Sequence, residues 1–445
     1  MPEKRALQFF YQRTSSQLSG FYSCEFWNTG VLQIASWDDG IRHGLVALAS
    51  LHEEYEMEGA ISLPSSANSF ALVQYNLAIR QHLERVQDLD LSGNVEVFVA
   101  PCLIFICIEM MRGRFGSVLF LVKKVLDIFD EFLSGAPTSV TRSSQVLLEA
   151  FETQLRRLEA QAVGLVGPMA WGNRSRPQIK TSRSRIPESF PSVMEARDSL
   201  EFYRHTYTIS QTSSNNNNNN HGAANRQIGG HDEVGLYLNV FDRWSTAFRS
   251  MNITLSESMT DQDKYASQVL EIHRLGLQSS LDLLSKRPEI DNQMLWDDYT
   301  DSFDNAVSIA ESLLQKSSAQ SVEPSTRKRP FFTLDIGVVG PLYEIAHRCR
   351  DPFVRRRAIH LLYTYPRQEG MWDSLLAARV AERVVAIEEG GLGPVRSCTD
   401  VPDWARTSDV LPIFDLEHRK AVLSYQRKES AYSHIRAPVQ EVIQW

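Results

Sequence analysis

Apolar residues in this chain of 445 residues return every three or four positions almost wherever a pattern can be read. With ~3.6 residues per helical turn, such spacing puts them on one face, and each helix must bury that face against another. Leu72, Tyr75, Ile79, Leu83 and Val86 form one stripe. Val118, Val122, Val125, Phe129 and Phe132 form a second, with Lys123, Lys124, Asp127 and Asp130 interleaved. Others are Leu147, Phe151, Leu155, Leu158 and Ala162; Leu236, Val240, Trp244 and Phe248; and Val269, Ile272 and Leu275 with Leu281 and Leu284. Alternating period-two segments bounded by turn dipeptides are nearly absent, and no strict repeat of the solenoid kind occurs. The expected fold class is all-α, antiparallel helices packed in two lobes.

Helix ends are also written locally. In Asp351-Pro352 the aspartate can cap the orphan amides and proline suits the first helical position; this helix should end before Pro366. The next should run from about Asp373 to Glu389, with Leu376, Val380, Val384 and Ile387 on one face and Gly390-Gly391 as its stop. The pattern dissolves between Gly164 and Pro187, and Ser210 to Gly230 holds the homopolymer Asn215 to Asn220, too polar to offset its own ordering entropy. The expected organisation is an N-terminal helical lobe at 1–163, a flexible basic and Asn-rich insertion at 164–233, a C-terminal helical lobe at 234–393 and an extension at 394–445.

The hydrophobic content of 43% and charged content of 22% are those of an ordinary globular chain, and the formal net charge of −8 opposes a surface that attracts nucleic acid by its overall field. The longest apolar run, Val97 to Ile108, falls well short of the ~20 residues that cross a bilayer and reads as a buried core helix, so no membrane partner is expected. No secretory leader pattern opens the sequence, and five scattered cysteines (Cys24, Cys102, Cys107, Cys349, Cys398) suit a reducing compartment.

Nothing in the residues nominates chemistry. Cys102 and Cys107 fall on different faces of their helix, as do His347 and Cys349, and no Cys-x2-Cys pair exists. His52-Glu53-Glu54-Tyr55-Glu56 starts like a zinc-protease helix but has glutamate where the second histidine belongs, leaving a charged helix end after Leu45 to Leu51. Gly390-Gly391-Leu392-Gly393 has the wrong spacing for a nucleotide loop. No catalytic, cofactor-binding or metal-ligating residue is assigned, and no cofactor is expected. Two basic clusters, Arg174, Arg176, Lys180, Arg183 and Arg185, and Arg327-Lys328-Arg329, read as solvated loops or nuclear-import signals; Arg355-Arg356-Arg357 reads as a polar helix face.

Several strings in order carry a resemblance. Leu7-Gln8-Phe9-Phe10, Phe26-Trp27, Val31-Leu32-Gln33, Ile41-Arg42-His43 and Ala47 to Glu53 open it. Gln74 to Arg80, Cys102 to Glu109 with Arg112-Gly113, and Phe241-Asp242-Arg243-Trp244 with Ala247-Phe248 continue it. Gly340-Pro341-Leu342-Tyr343, Cys349-Arg350-Asp351-Pro352, Arg355 to Ala358 and Pro366 to Asp373 close it. Together they resemble the fungal-specific regulatory region of zinc-cluster transcription factors, over nearly the whole chain apart from the polar insertion. Pro101 within the apolar helix is a departure from that pattern.

The resemblance implies a non-enzymatic nuclear regulator of transcription, specific to one pathway such as a secondary-metabolite gene cluster. Family members carry a zinc-binding cysteine cluster upstream of this region. Here the resembling strings begin at Leu7, so the expected action is through the helical region, by pairing with a related DNA-bound factor or as a homodimer, with any small-molecule effector unknown. Two alternatives stay open: a gene model shortened upstream of Met1, and a non-transcriptional helical scaffold or ligand-binding protein. The purified chain is expected to show no sequence-specific DNA binding and only weak, salt-sensitive attraction. Binding isotherms across a salt series check this, and a tight complex with one promoter that resists competitor DNA would contradict it.

Overall fold

Asp351 Oδ1 accepts from the amides of Phe353 (3.0 Å) and Val354 (3.1 Å), and Asp373 Oδ1 from those of Leu375 and Leu376 (both 2.9 Å), so two helix starts legible in the sequence are built as side-chain caps. They lie in an all-α molecule seen in a computed structural model that describes residues 2–22, 26–58, 69–88, 95–135, 142–166, 186–216, 231–286, 293–319, 329–415, 418–433 and 435–445. The chain divides into two compact units, neither continuous in sequence: Met1–Gln161 with Arg329–Ile336 and Arg367–Met371, and Ala162–Lys328 with Gly337–Pro366 and Trp372–Trp445.

In the first unit the helices are α1 (Pro2–Phe9), α2 (Ser15–Leu18), α3 (Val31–Ala35), α4 (Asp39–Glu58), α5 (Ser69–Asp88), α6 (Val95–Met111), α7 (Phe115–Gly135) and α8 (Arg142–Val166, the first unit's part ending at Gln161). Helix α4 packs against α1, α3, α5 and α6, and α7 lies on α6. Helix α6 is apolar all round and buried from Val99 through Met111, as a core helix must be, and it continues through Pro101 without a break. Val118, Val122, Val125 and Phe129 of α7 and Phe151, Leu155 and Leu158 of α8 are buried as their spacing requires. The α5 stripe is shifted: Ala71, Tyr75 and Ala78 are buried while Leu83 is exposed.

Two short strands complete this unit, β1 (Phe331–Thr333) pairing in parallel with β2 (Arg367–Glu369). They are held by long-range polar contacts. Arg157 Nη1 meets Asp335 Oδ1 at 2.8 Å with both side chains buried, and Thr333 donates to the Leu18 carbonyl at 3.1 Å. The guanidinium of Arg367 sits over the rings of Phe21 (5.2 Å) and Phe331 (4.8 Å).

The second unit contains α9 (Val193–Asn216), α10 (His231–Thr254), α11 (Asp261–Lys286), α12 (Thr300–Ala319), α13 (Val339–Arg348), α14 (Pro352–Thr364) and α15 (Ser374–Glu389), followed by strands β3 (Ser408–Asp415), β4 (Lys420–Lys428) and β5 (Arg436–Gln444) in an antiparallel sheet of that order. Helix α14 ends at Thr364, before Pro366, and α15 stops at Glu389, with Gly391 at φ +80° just beyond.

One sequence expectation needs correction, and the extension 394–445, assigned no element from the sequence, acquires strands. Helix α9 lies inside the stretch 164–233 set apart as flexible insertion, because Val193, Ala196 and Leu200 step by three and four and are buried among many polar neighbours; the rest of that expectation, at 167–185 and 217–230, lies outside the described residues. The extension 394–445 is largely sheet. Ala421, Leu423 and Tyr425 alternate buried with half-exposed neighbours in β4, but proline in β3 and polar residues on both faces of β5 hide the period.

Gly370 has φ +58°, and a Cβ there would stand 2.2 Å from Gln161 Oε1, itself held at 2.8 Å by the Met371 amide. Gly370→Ala should therefore lose about 1–3 kcal/mol of stability in urea unfolding. Gly391→Ala, with nothing within 4 Å, should cost less.

Candidate functional site

Two of the strings that closed the resemblance, Cys349 to Pro352 and Arg355 to Ala358, converge in the second unit on one carboxylate. Glu388, in the last turn of α15, is fully buried. Its Oε1 accepts from Arg350 Nη2 (2.8 Å), the Thr407 amide (2.8 Å) and the Thr407 hydroxyl (3.0 Å), and its Oε2 from Arg355 Nη2 (2.9 Å) and Arg350 Nε (3.3 Å). Arg350 also donates to the carbonyls of Arg348 (2.7 Å) and Thr407 (3.0 Å). Burial pushes the Glu388 carboxyl up, but Arg350 and Arg355 outweigh it and hold the pKa at about 2. Burial pulls the Arg350 guanidinium below its ordinary value.

A second buried guanidinium organises the adjoining segment. Arg406 donates to both oxygens of Asp297 (2.7 Å each) and to the carbonyls of Gln293 (2.9 Å), Cys398 (2.8 Å) and Val401 (2.8 Å). Arg436, at the start of β5, reaches Asp403 at 2.7 Å and the Arg406 carbonyl at 2.5 Å. Arg350, Arg355 and Arg406 therefore spend their donors inside the protein, in a framework that positions the C-terminal sheet.

This revises the reading of Arg355-Arg356-Arg357 as a polar face at Arg355 alone, since Arg356 and Arg357 do lie on the surface. Arg355 is fully buried; Arg356 pairs with Glu389 at 2.5 Å, and Arg357 with Asp304 (2.5 Å) and Glu311 (2.9 Å). The string at 52–56 is the charged end of α4, which runs to Glu58, but it turns His52 and Glu56 into the interior of the first unit. The His52 ring contacts the Thr14 hydroxyl (2.9 Å) and Gln17 (3.1 Å), while Glu56 accepts from Arg13 (3.1 Å) and Gln17 (2.5 Å) and lies 3.7 Å from Arg329. Burial, then the nearby Arg13 charge, lowers the His52 pKa to about 3, leaving a neutral imidazole in a packed polar core.

Cys102, Cys107 and Cys349 are buried, and burial raises each thiol, to about 12 for Cys102 and Cys349. Such thiols behave as small hydrophobes. Cys24, the cluster Arg174 to Arg185, and Arg327-Lys328 lie outside the described residues. Among the described residues no group of three or more His, Cys, Asp or Glu could hold a metal ion, and no helix is long and apolar enough to cross a membrane.

A concave apolar feature lies among α9, α10 and α11, lined by Leu200, Tyr203, Tyr237, Phe241, Trp244 and Leu277 among others. Trp244 stacks on Phe248 (centroids 5.0 Å apart) and Phe241 (6.1 Å), and its indole N–H donates to the Ala196 carbonyl at 2.9 Å. Its cavity of about 40 Å³ is far below the ~300–1,000 Å³ of small-molecule sites, so a ring-sized ligand would have to move half-buried Tyr203 or Tyr237. As built, it is a packing recess. The Phe241 to Phe248 spacing was legible; the contribution of α9 was not, because that helix sits in the stretch read as linker.

The chain is similar to the aspercryptin biosynthesis cluster-specific transcription regulator atnN of Emericella nidulans, 24% identical over 504 aligned positions that cover 96% of this chain and 80% of that protein. No family model and no solved structure matches it.

Because Glu388 titrates below the ordinary glutamate range, its stabilising contribution is fully present above about pH 5 and is lost as pH falls toward 2. Glu388→Gln should destabilise the protein by about 3–5 kcal/mol at pH 7, since two buried guanidiniums lose their counter-charge. The gap between the wild type and Glu388→Gln should narrow from pH 5 to pH 3 in urea titrations.

Proposed function

We propose that this chain is a nuclear, pathway-specific regulator of transcription of the fungal zinc-cluster class, acting through its helical regulatory region on a secondary-metabolite gene cluster. The observation that carries the reading is the similarity along 96% of the chain to a protein described as a biosynthesis cluster-specific transcription regulator. It is supported by the ordered strings from Leu7 to Asp373, two of which, Cys349 to Pro352 and Arg355 to Ala358, supply the arginines that meet Glu388.

The regulator works without catalysis. Its interior arginines are committed to Glu388, Asp297 and backbone carbonyls, and the net charge is −8, so phosphate attraction by the described surface is weak. Pairing with a related DNA-bound factor, or with a second copy, brings it to promoters.

Deleting the gene and profiling transcripts under inducing conditions should silence or derepress a contiguous set of biosynthetic genes, and a tagged chain should accumulate in nuclei. An unchanged transcriptome under every inducing condition would overturn the reading.

A further inference from the structure

The C-terminal sheet has two outer edges, and they are built differently. Strand β3 carries a register break between Ser408 and Leu411, Asp409 at φ +50° and Pro412, devices that blunt an edge. Strand β5 is regular and pairs with β4 at every position from Arg436 to Gln444. The Trp445 amide donates to the Arg419 carbonyl at 3.0 Å, which fixes the alternation: Ala437, Val439, Glu441 and Ile443 turn their peptide groups toward β4, and Gln440, Val442 and Gln444 turn theirs to the open edge. Pro438 removes a donor only at the beginning of that edge. The one charge beyond it, Glu441, is on the other face, held at 2.8 Å by both Arg383 Nε and Arg383 Nη2 of α15.

The exposed face has its own pattern. Ile413, Val422 and Val442 lie side by side across the three strands; Ile413 and Val442 are each 58% exposed. The last member of this row, Val442, stands on an edge that no described strand pairs.

We propose that the chain self-associates by antiparallel pairing of two β5 strands about a two-fold axis at Val442, making one continuous six-stranded sheet. In this register Val442 faces Val442 of the second copy, and Gln440 faces Gln444 on either side, so every outward peptide group from Gln440 to Gln444 finds a partner. The apolar row becomes Ile413, Val422, Val442 and the same three in reverse, buried side by side instead of ending in water. The neighbouring registers are worse. An axis at Gln440 sets Pro438 opposite Val442 and loses a donor; one at Glu441 opposes two carboxylates; one at Ile443 shortens the overlap to Val442–Gln444. A second copy is the fitting occupant because the strand complements itself: an isologous contact needs the same patch on both partners, with its centre on the axis. The inference rests on the sheet alone and holds whether or not the chain regulates transcription.

The test uses the full chain in sedimentation equilibrium at micromolar to tens of micromolar concentration. The wild type should approach twice its 50.6 kDa mass. Hydrogen exchange in a peptide covering 436–445 should slow as concentration rises. Val442→Lys and Val442→Glu should each weaken association by about tenfold or more, since each sets like charges face to face on the axis. Mixing the two variants should restore a dimer, an outcome particular to a residue that meets its own copy. If Val442→Lys loses its helical circular dichroism, Val442→Glu and the wild-type exchange data decide. A wild type that stays monomeric, variants that dimerise as the wild type does, or a mixture that stays monomeric would each overturn the proposal.

Discussion

The second unit depends on what Glu388 does with its two oxygens. A carboxylate taken wholly out of water costs several kcal/mol unless charge and hydrogen bonds replace its hydration. Here two guanidiniums, one amide and one hydroxyl replace it. Arg350 lies in the junction of α13 and α14, Arg355 in the first turn of α14, Glu388 in the last turn of α15, and Thr407 immediately precedes β3. One anion thus fixes three separated stretches of chain, and Arg406 extends the same logic to 293–297 and 398–401. An apolar cluster of similar volume could match it in stability, but it would not specify direction: the planar forks of Arg350 and Arg355 accept only one arrangement of the carboxylate.

The first unit uses the same device on a smaller scale. Arg157 and Asp335 meet in a buried pair, and Asp335 also accepts from the Ile336 amide at 2.7 Å, so a segment from far along the sequence is held beside α2 and α8. The same segment also buries Phe332, Leu334 and Ile336, so apolar packing and the ion pair together hold it in the first unit. Arginines aimed inward at carboxylates, Arg157, Arg350 and Arg355 among them, have their charge neutralised inside the protein.

Legibility followed the range of the interaction. Asp351 and Asp373 were readable as caps because a cap bonds amides two and three residues on. The stripes of α7 and α8 were readable because residues three and four apart share a face. Helix α9 was not, since Val193, Ala196 and Leu200 stand among so many polar residues that their spacing drowned. The burial of Arg355 and of His52 was not legible for a common reason: a charged or polar residue within a helix shows no inward partner in its own stretch of sequence, and those partners stand 33 residues away for Glu388 and 38 for Thr14. The strand alternation in β5 was masked because glutamate occupies an inner-face position that only Arg383 makes tolerable.

The sequence by itself determined the helical class, the identity of the central apolar helix, the capped starts of α14 and α15, and the order of the strings that carry a resemblance to a fungal regulatory region. All of these rest on contacts within a turn or two of chain, or on residue order. Tertiary structure alone decided that the units are discontinuous, that Arg157, Arg350, Arg355 and Arg406 serve the interior, that the 394–445 extension holds a three-stranded sheet, and that one of its edges is regular and paired with no described strand. Those outcomes depend on which distant carboxylate or strand reaches a given residue first, and the free energy of such a meeting includes desolvation and loop closure, which no local pattern of residues records.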